Sequence, residues 1–147
     1  MSEQFTITEY SNIKKGMFVV YGVKPNQRPC KVIEVFTSKP GKHGTTKVRI
    51  TCVDIFTKKK SEIISPGSSI GHIPIITKKD YILTHISDDN YLGLMDETGF
   101  VREDLILPDN EDGKKIKTRF EQDKNVSIQT TIAFDEEHVT SFKIIKD

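Results

Sequence analysis

The chain of 147 residues has no tryptophan, one alanine (Ala133), five leucines and two cysteines. Leu and Ala fill helices at the least conformational cost, and their scarcity excludes a helix bundle. Cys30 and Cys52 lie far apart, with neither a CxxC pair nor a His at ligand spacing. No zinc site or disulfide framework is legible, and both are expected as reduced core residues. The longest uncharged run, Ile63 to Thr77, is interrupted by Pro66, Gly67, Gly71 and Pro74, and the amino terminus has no basic stretch leading into an apolar core. Neither a membrane span nor a secretion signal is expected, so the chain reads as cytoplasmic.

What the chain does have is β-branched residues: 19 Ile, 10 Val and 14 Thr. Such side chains lose rotamers in helices and pack well on pleated surfaces, so the expected fold class is mainly β. Strand-length apolar runs recur at Phe5 to Tyr10, Met17 to Val23, Cys30 to Thr37, Val48 to Phe56 and Glu62 to Ile64, bounded by turn-forming or basic residues. These predict a small, nearly closed barrel. In the fourth run Val48, Ile50 and Cys52 alternate with Lys47, Arg49 and Thr51, so one face is expected inside and the other basic.

Pro66-Gly67-Ser68-Ser69 and then Gly71 to Pro74 read as a linker, which places a domain boundary near Ile75. Beyond it, runs at Tyr81 to Ile86, Tyr91 to Met95, Phe100 to Leu107, Val126 to Ala133 and Val139 to Ile145 predict five strands. One helix is expected at Asn110 to Gln122, stopped and capped by Pro108-Asp109, with Ile116 and Phe120 on its apolar face. Five strands with one helix suggest an OB-type barrel. The expected domains are thus 1–75 and 76–147.

The formal net charge of +1 conceals a division. Residues 1–76 carry twelve Lys or Arg against five acids, and residues 77–147 carry ten against sixteen. Ten of the first twelve fall between Lys24 and Lys60, opposed there by Glu34 and Asp54 alone. Such a block is the footprint of a phosphate-rich partner, a merely solvated face being the alternative.

Within the block sits Ser38-Lys39-Pro40-Gly41-Lys42-His43-Gly44-Thr45-Thr46-Lys47. Pro40-Gly41 and Gly44 are turn formers between two strands, which predicts Lys42 and His43 at the tip of a long hairpin. A P-loop is rejected, because His43 follows Lys42 where Ser or Thr is required and no second Gly stands at the needed distance.

The segment Ser38 to Gly44 resembles the modified loop of the eukaryotic translation initiation factor 5A family. Arg28-Pro29-Cys30-Lys31-Val32 before it, Val53-Asp54-Ile55-Phe56-Thr57 after it, and Val101-Arg102-Glu103-Asp104-Leu105 with Leu107-Pro108 extend the resemblance in order from about Lys15 to the end. The resemblance implies an amino-terminal SH3-like barrel and a carboxy-terminal OB-fold. It implies that Lys42 receives an aminobutyl group from spermidine through deoxyhypusine synthase and, where deoxyhypusine hydroxylase adds oxygen, becomes hypusine. It implies binding at the ribosomal exit site, contact with rRNA and peptidyl-tRNA, relief of elongation stalls at proline-rich sequences, and help in termination. Family members usually carry His-Ala where this chain has Thr45-Thr46, and often Thr at Pro40.

On the residues themselves, Gly41 and Gly44 would let backbone approach RNA, with Lys39, Lys47 and Arg49 holding the flanks of the hairpin. No cofactor, metal site, paired carboxylate or catalytic triad can be assembled, so no enzyme is expected. Asp109 to Gly113 fails as a calcium loop because Pro108 takes the first ligand position. His72, His85 and His138 are expected to lack carboxylate or Cys partners. In the acidic half, Tyr81, Tyr91 and Phe100 are expected to pack inward rather than stack bases, and Asp88-Asp89 and Asp135-Glu136-Glu137 to serve solubility. The alternative function is an unmodified two-barrel RNA-binding protein that clamps phosphates with its basic hairpin.

Overall fold

The computed structural model describes residues 4–39 and 46–145. Contacts divide the chain into two compact units, Met1–Ile75 and Ile76–Asp147.

In the first unit β1 (Phe5–Glu9) leads through a 3-10 turn (Tyr10–Asn12) to β2 (Phe18–Tyr21), β3 (Arg28–Ser38), β4 (Lys47–Asp54), β5 (Lys60–Pro66) and β6 (Ile70–Pro74). Strands β2 to β5 form one antiparallel sheet in chain order, and β1 pairs with β6 in a second. Ile13, Val19, Cys30, Val32, Val48, Ile50 and Cys52 make the core, with Ile73 of β6 packed against it. The alternation expected in β4 holds: Val48, Ile50 and Cys52 are buried while Lys47 and Arg49 face out. Both cysteines are free thiols in the core.

The linker reading is overturned. Pro66 closes β5, residues 67–69 turn, and Ile70–Pro74 is a strand paired residue for residue with β1, from Glu9↔Ile70 to Phe5↔Pro74. Gly71 is there because the Tyr10 ring lies over it: a Cβ would fall 2.9 Å from the ring. Pro74, which has no N–H to donate, stands at the last position of the strand. The turn itself is tied down, with the Tyr10 and Ser11 N–H groups donating to Ser69 and Gly67 carbonyls at 3.0 Å each.

The second unit runs β7 (Thr77–Ile86), β8 (Tyr91–Met95), β9 (Val101–Ile106), α1 (Glu111–Glu121), β10 (Asn125–Ala133) and β11 (Glu136–Ile145). The sheet order is β11-β10-β7-β8-β9, all antiparallel. Register shifts in three of its pairings bend it, as extra residues in one strand do. At one of them Gly93 faces His85, whose ring occupies the space a Cβ would need. Ile116 is fully buried and Phe120 packs beside it against the core of Leu83, Leu92, Leu94, Val126 and Ile128. The helix is capped by Asn110, not Asp109: its side-chain oxygen accepts the Gly113 N–H at 2.9 Å.

Candidate nucleic-acid interface

Strands β3 and β4 pair in register out to Ser38↔Lys47, and residues 39–46 connect them. Lys47 and Arg49 project from the outward face of β4, and Lys39 is exposed just past the end of β3. Lys47 and Arg49 therefore lie on one face of the hairpin, and Lys39 is exposed at the same end of it. Pro40, Gly41, Lys42, His43 and Gly44 lie outside the described residues. Arg49 meets Glu62 on β5, Nε to Oε1 at 3.3 Å, with both side chains well exposed.

The opposite end of the hairpin is held by charge of another kind. Asp54, the last residue of β4, is buried and accepts from Arg28 Nε at 2.6 Å and Nη2 at 3.2 Å. It also accepts the N–H groups of Phe56 and Thr57 at 2.8 and 3.0 Å, closing the turn into β5. Burial pushes the Asp54 carboxyl up, but these hydrogen bonds outweigh it and bring the group down to about 2. Arg28 and Asp54, counted in sequence as part of the basic block and its opposition, are thus a structural pair. The neighbouring Cys52 side chain and burial together push the Cys30 thiol up, keeping it neutral.

In the second unit Arg102 gathers the strands. Its guanidinium donates to both oxygens of Asp104 at 2.7 Å, to both of Glu137 at 3.0 Å and to the Tyr81 hydroxyl at 2.9 Å. Thr130 donates its hydroxyl to the same Glu137 at 2.7 Å. Glu137 is therefore a structural ligand rather than a solubilising charge, and Tyr81 is buried as expected. Phe100 and Tyr91, expected inside, are exposed instead: Phe100 follows the Gly99 turn just before β9, and Tyr91 opens β8 opposite exposed Ile106. His85 and His138 do have carboxylate neighbours, Glu103 at 3.7 Å and Glu136 at 2.8 Å, because cross-strand packing brings the first pair together and spacing along β11 the second. Among the described residues no cluster of three or more His, Cys, Asp or Glu is positioned to hold a metal ion.

Sequence reasoning missed Phe36 and Ile64, which flank Arg49 on the outward face. Alternation from buried Cys30 and Val32 would put Glu34 and Phe36 inside. A register shift between Val32 and Glu34 reverses the phase, so Val35 turns in and Phe36 out. The signal was Glu34, a carboxylate that an unbroken alternation would have buried in an apolar core.

Two family models match end to end: "Translation initiation factor 5A-like, N-terminal" over residues 3–69, and "Eukaryotic elongation factor 5A hypusine, DNA-binding OB fold" over 75–143. The translation initiation factor 5A of Spodoptera exigua is 40% identical over 90% of this chain and 81% of its own. The 5A-1 protein of Saccharomyces cerevisiae is 38% identical over 90% and 82%. The chain belongs to the eukaryotic translation initiation factor 5A family. Among solved structures, a family protein from Naegleria fowleri superposes with TM-score 0.83 at 37% identity, covering 96% of this chain and 99% of its own. The factor 5A of Methanococcus jannaschii gives 0.71 at 25%, covering 97% and 96%.

The chain is accordingly a translation factor with a hypusine-type domain, built as an amino-terminal SH3-like barrel and a carboxy-terminal OB-fold. Of the four segments that carry the family resemblance, three are anchors of the fold. Arg28–Val32 and Val53–Thr57 are bridged by the Arg28–Asp54 pair, and Val101–Leu105 carries Arg102. The fourth, Ser38 to Gly44, begins where the β3–β4 pairing ends.

Proposed function

We propose that this chain is a ribosome-bound, cytoplasmic translation factor whose Lys42, modified by deoxyhypusine synthase and then by deoxyhypusine hydroxylase, steadies peptidyl-tRNA beside the exit site. The observation that carries the reading is the position of Lys42 in the connection 39–46 of a hairpin flanked by exposed Lys39 and by outward Lys47 and Arg49, in a chain of this family. Residues 1–75 form the domain that bears Lys42, with Gly41 and Gly44 letting the backbone approach RNA and Pro40 and His43 among the loop's RNA contacts; residues 76–147 form the acidic partner domain.

A lysine lengthened by an aminobutyl group carries two amines on a slim arm, which reaches phosphates and hydroxyls in an RNA-lined cavity beyond the range of an ordinary ammonium. Steadying the acceptor end of a misplaced peptidyl-tRNA leaves fewer misaligned states to compete with the reactive one. A bias of about 1.4 kcal/mol toward the aligned state gives roughly tenfold in rate at stalled, proline-rich sequences or at termination. The ribosome performs the chemistry, and this chain supplies no acid, base or nucleophile.

Two measurements test the reading. A mass spectrum of the Lys42 peptide from native cells should show the added aminobutyl group, with a further oxygen if Thr45-Thr46 permit hydroxylation. Lys42→Arg keeps the charge but cannot be modified, and should lose stall relief. Bare Lys42 in native protein, or full activity of the variant, would move the function to an unmodified phosphate clamp.

A further inference from the structure

Register places Phe36 opposite Arg49 and Arg49 opposite Ile64, so the three form one row across β3, β4 and β5. All face solvent: Phe36 is 64% exposed, Ile64 61%, and the Arg49 side chain 60%. The next row along the hairpin is Ser38, Lys47 and Pro66. Phe36, Ser38, Lys47, Arg49 and Ile64 line a depression of ≈ 310 Å³. Side chains directly opposite on paired strands stand about 5 Å apart and diagonal ones about 7 Å, so the Phe36 ring has one cation beside it and a second within reach.

Single exposed hydrophobic side chains are ordinary on protein surfaces. Here an aromatic and an aliphatic side chain flank a guanidinium over a concavity, with a lysine in the adjoining row. The ring takes a flat, apolar partner and the cations take a negative one. A nucleotide of an unpaired strand supplies both, a π-face and a phosphate, whereas the bases of a duplex are already stacked on one another. On the far side the row of Glu34, Thr51 and Glu62 is acidic and repels a polyanion, which directs the strand toward Lys47 and Lys39. The Arg49–Glu62 pair is exposed, and such pairs hold weakly enough to yield to a phosphate.

We propose that Phe36, with Ile64 and Arg49 beside it, is a stacking platform for one unpaired base of single-stranded RNA, whose adjoining phosphates rest on Lys47 and Arg49. The platform rests on the proposed role at RNA but needs no modification of Lys42. Because the chain has no tryptophan, Phe36→Trp introduces a single indole reporter at the platform itself. With the full chain, oligouridine should quench that emission, and an abasic ribose-phosphate oligomer of equal length should leave it unchanged.

Phe36→Ala should weaken oligouridine binding about five- to a hundredfold, the range expected for one stacked base. Its affinity for the abasic oligomer and the slope of log affinity against log salt should stay as in the parent, since no phosphate contact is removed. Unchanged melting temperatures would show that both variants fold. Parental affinity of Phe36→Ala for oligouridine, an equal loss on the abasic oligomer, or equal quenching by duplex RNA would overturn the platform. Recombinant protein with unmodified Lys42 is used, so bare Lys42 in native cells would overturn the proposed function and leave this result standing.

Discussion

At Asp54 two opposing effects act on one carboxyl group. Burial disfavours its charge, while Arg28 and two backbone N–H groups favour it, and the balance brings the group from 3.8 to about 2. The folded value lies below the unfolded one, so the stabilisation is fully present above the unfolded value and is lost as pH falls toward 2. About 2 kcal/mol is at stake by this linkage. Asp54→Asn should lower stability by about that amount at pH 7, and its denaturant midpoint should change less than the parent's between pH 5 and about pH 2. Parallel pH profiles for the two proteins would show that the pair contributes no pH-dependent stability. Arg102 makes the complementary case, a guanidinium shared by Asp104, Glu137 and Tyr81. Arg102→Lys keeps the charge but not the forked geometry, and should still cost about 2 kcal/mol in denaturant unfolding. The Arg28–Asp54 pair and the reach of Arg102 to Tyr81 and Glu137 were invisible in sequence, because strand register brings these residues together; Asp104 alone lies close by spacing, two residues along β9.

Elements follow local rules where one side chain decides and depart from them where a neighbour does. The helix is the first kind: acids Glu111 and Asp112 occupy its first turn, Arg119 its last, and Asn110 its cap. Asn110→Ala should cost about 1 kcal/mol, read as a lowered melting temperature. Gly113→Ala should be worse than the helix preference of Ala suggests, because the new Cβ would meet the Pro108 carbonyl. Strand β4 was legible because neighbours on both sides hold its alternation in phase. Strand β6 was not: its Pro and Gly mark turns in most contexts, and here β1 supplies the hydrogen-bonding partner and Tyr10 the cover over Gly71. Strand β3 changes phase at a register shift, which turned Phe36 outward while leaving Val32 and Val35 on the core side.

At the scale of the whole molecule, the charge division coincides with two separate cores, one centred on Ile50 and Cys52 and the other on Leu92, Leu94 and Ile116. Residues 1–75 and 76–147 expressed apart should each melt cooperatively, and a non-cooperative transition in either would show that its core is incomplete alone. RNA affinity should reside in the first fragment. If Lys39, Lys47 and Arg49 each neutralise one phosphate, log affinity should fall with log salt at a slope of about 2 for a single strand. The sequence by itself determined the β class, the opposed charge of the two halves and the family, since these depend on residue type and local order. The tertiary structure alone decided which carboxylates became structural ligands, which glycine-rich segment became a strand and which face Phe36 joined. Each of those outcomes depends on strand order and register, which bring residues as far apart as Arg102 and Glu137 within 3.0 Å.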